Sequence, residues 1–157
     1  MVVRDEKQAL DVAVEMEKRA IRTYERALML ANRPEVIAGI KAILEDERQH
    51  LCRFSAMRGE EENAPAEEAV LTDALAAEAL FTGGVSEMTR ARAMTTLCGL
   101  YTYAAESEAD AVETYTAFAE KSATGEVKAA FLAIAKEEQT HLDALRKELA
   151  AMEEKVQ

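Results

Sequence analysis

The chain has two histidines, and each follows a glutamate by three residues: Glu47-Arg-Gln-His50 and Glu138-Gln-Thr-His141. On a helix such a pair projects from one face, one turn apart, which is how a carboxylate and an imidazole grip one metal ion. One match would be ordinary in a chain with 30 Asp and Glu. Two matches in register are not. Positions 47 and 138 differ by 91, as do 50 and 141. The same offset carries Glu17-x-x-Ala20-x-x-x-Tyr24 onto Glu108-x-x-Ala111-x-x-x-Tyr115. The repeat is written in polar residues, where core packing does not demand one.

Turn positions tie each lone glutamate to its Glu-x-x-His partner. The midpoint of 17 and 50 falls at Arg33/Pro34, and that of 108 and 141 at Thr124/Gly125. In antiparallel hairpins turning there, Glu17 lies level with His50 and Glu108 level with His141. Packing the hairpins gathers Glu17, Glu47, His50, Glu108, Glu138 and His141 at one centre. Buried without a cation, four carboxylates would suffer desolvation and mutual repulsion. Two divalent ions balance their four charges. Mixed oxygen and nitrogen ligation suits two iron ions, with manganese or zinc as substitutes.

The elements that must position these residues are helical. Apolar residues recur with a 3.6-residue rhythm over about 5–31 (Leu10, Val14, Ile21, Leu28) and 35–58 (Val36, Ile40, Ile43, Leu44, Leu51). The rhythm returns over about 86–122, bent near Gly99, and over about 126–155. Pro34 suits the first turn of the second helix. Residues of about 59–85 form a long crossover with a short helix near 67–81, closed by Gly83-Gly84. The expectation is one all-α domain over 1–157: a four-helix bundle of two antiparallel hairpins joined by that crossover.

Composition removes several function classes. A net charge of −11 leaves no basic stripe for nucleic acid and disfavours anionic membrane surfaces. No run approaches the ~20 apolar residues of a membrane span. Met1–Lys7 has no apolar core fit for a signal peptide. Cys52 and Cys98 stand alone, too few for a four-thiolate site, and read as small buried apolar residues. A reducing cytoplasm is the expected location.

Together, the two Glu-x-x-Ala-x-x-x-Tyr and two Glu-x-x-His segments resemble the rubrerythrin-like branch of the ferritin-like di-iron superfamily. The resemblance spans nearly the whole chain. It implies that Glu47 and Glu138 bridge two irons, that Glu17 and Glu108 are terminal ligands, and that His50 and His141 each complete one iron. It implies that Tyr24 and Tyr115 hydrogen-bond ligand carboxylates, and that the protein is a homodimer. Full-length rubrerythrins add a four-cysteine rubredoxin module. None is present here, so the electron donor is expected to be a separate protein such as a rubredoxin. The family's extra third-helix carboxylate has two nearby counterparts, Asp110 and Glu113, neither at an unambiguous position.

The reading preferred on these grounds is a di-iron oxidoreductase that reduces hydrogen peroxide, or O₂, with electrons from that donor. A ferroxidase or iron-handling protein is the alternative, followed by a non-catalytic metal-binding dimerisation module.

Overall fold

The computed structural model describes residues 3–59, 87–123 and 125–156. The expected short helix at 67–81 lies outside them. Five helices are described: α1 Glu6–Leu30, α2 Pro34–Arg58, α3 Glu87–Ala93, α4 Leu97–Lys121 and α5 Gly125–Val156. No strand occurs among the described residues, and none of the helices is long and apolar enough to cross a membrane. Helices α1 and α2 pack as one hairpin and α4 and α5 as another, with α3 lying mainly on α1. This is the all-α bundle of two hairpins that the periodicity predicts.

Local chemistry sets the helix ends. Asp5 caps α1 by accepting from the Gln8 backbone N–H at 2.9 Å, which satisfies one of the first turn's unpartnered donors. Pro34 opens α2, where its missing N–H costs nothing. Gly59 closes α2 at φ 80°, a conformation that a Cβ would strain.

The stretch expected to run unbroken over 86–122 is instead two helices, interrupted at Met94–Thr96. Thr96 turns its hydroxyl back to the Gly99 N–H at 3.0 Å and becomes the cap of α4. A Cβ at Gly99 would collide with the Ala93 carbonyl oxygen, so the break requires glycine there. Gly99 therefore marks a new helix start rather than a bend.

Two apolar clusters fill the bundle. One gathers Leu10, Val14, Phe54, Tyr115, Phe118, Phe131 and Ile134. Its rings meet at 5.0 Å (Phe54–Tyr115), 5.3 Å (Phe54–Phe131) and 5.6 Å (Phe118–Phe131), tilted or edge-on as ring quadrupoles favour. The other gathers Tyr24, Val36, Ile40, Leu44, Met94 and Leu100. Both cysteines are exposed, contrary to the expectation of burial. On α2 the inward positions are 47, 50 and 54, which turns Cys52 outward, and Cys98 lies in the solvent-facing first turn of α4.

Candidate metal centre

Glu17, Glu47, His50, Glu108 and Glu138 are all buried. His141 is half-buried. They come from α1, α2, α4 and α5, so the six predicted residues are brought together from all four long helices. Two groups have ligand atoms within 4.8 Å of one another: Glu17, Glu47, His50 and Glu138, and then Glu108, Glu138 and His141. Only Glu138 belongs to both, while Glu47 joins the first group alone.

Both imidazoles turn Nδ1 inward. His50 Nδ1 lies 3.1 Å from Glu138 Oε1 and 3.9 Å from Glu17 Oε1. His141 Nδ1 lies 3.5 Å from Glu138 Oε2 and 3.7 Å from Glu108 Oε1. Despite these short approaches, His50 Nδ1, Glu17 Oε2 and Glu138 Oε2 are buried without a hydrogen-bond partner. Buried polar atoms are normally satisfied. Three orphans converging on one layer, all of metal-ligand type, fit a cation at that place. Four carboxylates with two imidazoles suit iron, manganese or zinc.

Electrostatics point the same way. Burial drives the Glu17 carboxyl well above the carboxylate range, helped by the nearby Glu47 charge. Burial likewise lifts Glu47. Glu108 is pushed up to about 11 by burial first and then by Glu138. Glu138 shares the burial, but the close approach of the His141 and His50 imidazoles holds it well below its usual range. His141 is raised by its contact with Glu138. Burial opposes charge on His50, yet the Glu138 carboxylate raises it overall. Without a cation, the raised carboxyls limit the layer's negative charge by holding protons, which a divalent ion would displace.

The outward nitrogens show residues that motif reasoning missed. His50 Nε2 meets Glu137 Oε2 at 3.1 Å, and Arg53 Nη1 donates to Glu137 Oε1 at 2.9 Å. His141 Nε2 lies 3.6 Å from Asp46 Oδ2. Asp46 and Glu137 each precede the glutamate of a Glu-x-x-His motif, and they too are 91 positions apart. The contacts cross, so the carboxylate of each hairpin faces the imidazole of the other. With Nε2 carrying the proton, such a carboxylate fixes the ring and leaves Nδ1 free for a metal.

Tyr115 on α4 donates its hydroxyl to Glu17 Oε1 on α1 at 2.5 Å. Tyr24 is fully buried and packs edge-on against Tyr103, with ring centroids 5.8 Å apart. Burial, followed by the charge of Glu47, pushes its phenol well above the usual value. Of the two counterparts for the extra carboxylate, Asp110 lines the cavity above the cluster. Burial and the Glu113 charge raise its carboxyl. Glu113 itself is exposed.

The rubrerythrin family model matches residues 100–157. That segment holds Glu108, Tyr115, Glu138 and His141, so the match bears out the rubrerythrin-like resemblance over the second half of the ligand set. No curated protein and no solved structure matches the chain.

Proposed function

We propose that the chain is a di-iron oxidoreductase of rubrerythrin type, which reduces hydrogen peroxide (or O₂) with electrons from a separate donor protein. The observation that carries this reading is the pair of ligand groups sharing Glu138 across a buried layer of orphaned donor atoms. Glu17, Glu47 and His50 would hold one ion, Glu108 and His141 the other, and Glu138 both. Two ferrous ions bound there would supply the two electrons that, with two protons, convert H₂O₂ to two waters.

The chain's own residues prepare that chemistry. Tyr115 keeps its proton across the working pH range because burial raises its phenol so far, and it therefore holds the Glu17 rotamer as a constant donor. Glu137 holds the His50 ring, and Arg53 holds Glu137. Around His50, whose side chain is 2% exposed, little water reaches the layer, which strengthens each electrostatic contact there.

One observation favours iron handling as a second reading: the His141 side chain is 34% exposed, against 2% for His50. An ion beside His141 has a shorter way to solvent. Anaerobic Fe²⁺ loading followed by stopped-flow mixing separates the two readings. The peroxidase reading expects two irons per chain and oxidation by stoichiometric H₂O₂ at least about tenfold faster than by O₂. Equal rates, with continued consumption of excess Fe²⁺ under O₂, would favour the ferroxidase.

A further inference from the structure

The repeat also contains two alanines, Ala20 and Ala111, which neither ligate nor support a ligand. Both border one cavity of about 320 Å³ between α1 and α4, whose floor is the carboxylates of Glu17, Glu47, Glu108 and Glu138. Met16, Ala93 and the Tyr103 and Tyr115 rings give its wall an apolar side, while Arg19, Arg90, Glu106 and Asp110 make the rest polar. Side chains larger than methyl at positions 20 and 111 would project into this space. The repeat therefore preserves a void above the ligand layer as well as the layer itself.

That void is large for the smallest oxidants. A water's share of liquid volume is about 30 Å³, so H₂O₂, with its two oxygens, leaves most of the cavity empty even with two ions seated at its floor. An engineered apolar cavity of about 150 Å³ already admits benzene. A half-open cavity twice that size, part apolar and part polar in its wall over a carboxylate floor, has the proportions of a small-molecule site. It suits a molecule with one reactive polar end and a compact hydrocarbon body.

We propose that the cavity seats an organic hydroperoxide, ROOH, with a branched-alkyl or single-aryl R group, and that Ala20 and Ala111 set the size it accepts. The proposal rests on the peroxide-reducing reading and names its substrate class. In the reaction the O–O bond breaks while the R–O bond stays intact. Two electrons from the separate donor protein and two protons from solvent yield ROH and one water. The apolar body gains by leaving water for the alanine- and methionine-lined wall, and H₂O₂ has no such body.

Binding of the redox-inert product tests this apart from turnover. Protein loaded with Zn²⁺ is titrated with 2-phenylpropan-2-ol, the alcohol formed from cumene hydroperoxide, and followed by NMR shifts and calorimetry. Saturable one-to-one binding is expected, weakened at least about tenfold in Ala111→Leu and in Ala20→Leu, with a smaller loss in Ala111→Val. Helix content by circular dichroism and bound Zn²⁺ are measured on each variant, so a folding defect is not read as a lost site. Absence of saturable binding to the wild-type chain overturns the proposal, as does unchanged affinity in folded Leu variants. Failure to bind two Zn²⁺ would instead sink the metal centre, while alcohol binding to the metal-free chain would still decide the cavity. With iron loaded, the ratio of cumene hydroperoxide to H₂O₂ oxidation rates should fall about tenfold in Ala111→Leu.

Discussion

The two halves of the ligand layer follow one pattern and are held to different degrees. In the first, His50 is sealed from solvent and its Nε2 meets Glu137 at 3.1 Å, with Arg53 clamping Glu137 at 2.9 Å. In the second, His141 is partly open and Asp46 stands 3.6 Å away, although the two supporting carboxylates are about equally exposed, 48% for Glu137 and 45% for Asp46. Sequence explains the difference. Asp46 is one methylene shorter than its counterpart Glu137, and the position 91 residues after Arg53 is Ala144. A repeated motif thus builds one closed and one open half of the candidate centre, because the residues beside the imidazoles differ where the six repeated ones do not.

The largest effect should come from the residue the halves share. Glu138→Ala removes a carboxylate common to both groups, and metal analysis after anaerobic loading should find less than one ion per chain instead of two. Retention of two would dissolve the comparison altogether.

A smaller effect should erase the asymmetry while keeping the site. Glu137→Gln or Arg53→Ala should weaken the first half-site by roughly 10–100-fold, the usual cost of losing a metal ligand's hydrogen-bonded support. Asp46→Asn should change the second half-site less. Chelator-driven release of Zn²⁺ reads both: two phases in the wild-type chain, drawing together in Arg53→Ala. If Asp46→Asn proves the more damaging change, the closed and open assignments are reversed.

The gentlest expected effect is on pH dependence. In the metal-free chain Glu17, Glu47 and Glu108 carry raised values. The folded state therefore keeps protons that the unfolded chain releases above about pH 4.3. His50 and His141 are raised as well, so their stabilisation is present below about pH 6.5 and fades as pH climbs through their folded values. Both sets have the same sign, and thermal stability of the metal-free protein should fall from pH 5 to 8. Glu138, depressed, opposes this only in acid. Two bound Zn²⁺ should flatten the slope, and a melting temperature that rises with pH without metal would contradict the protonated layer.

Much of this was legible beforehand. Polar residues at a fixed offset located all six cluster members, since no packing rule places Glu and His that way. Apolar rhythm located the four long helices. It ran on through Met94–Thr96 because rhythm reports which face is buried and carries no information on whether the backbone is continuous. The capping chemistry of Thr96 and Gly99 held that information. Asp46 and Glu137 were hidden by abundance: among 30 acidic residues, a carboxylate beside a ligand is unremarkable until its own 91-residue partner is noticed. Arg53 has no such partner, and only the fold shows its contact. The cavity was not legible at all, because it is defined by what the side chains at positions 20 and 111 leave empty.

The break before α4 falls at a repeated position in the chain. Helices α1 and α4 each have 25 residues, and their first residues, 6 and 97, stand at the same 91-residue separation as the starts of α2 and α5, 34 and 125. Even the caps correspond, Asp5 bonding to Gln8 and Thr96 to Gly99. The interruption at Met94–Thr96 therefore lies where a second copy of the hairpin pattern begins. A single copy carries two carboxylates and one imidazole, half a centre. The candidate layer lies where the two copies meet, a property of the pair that neither hairpin has alone.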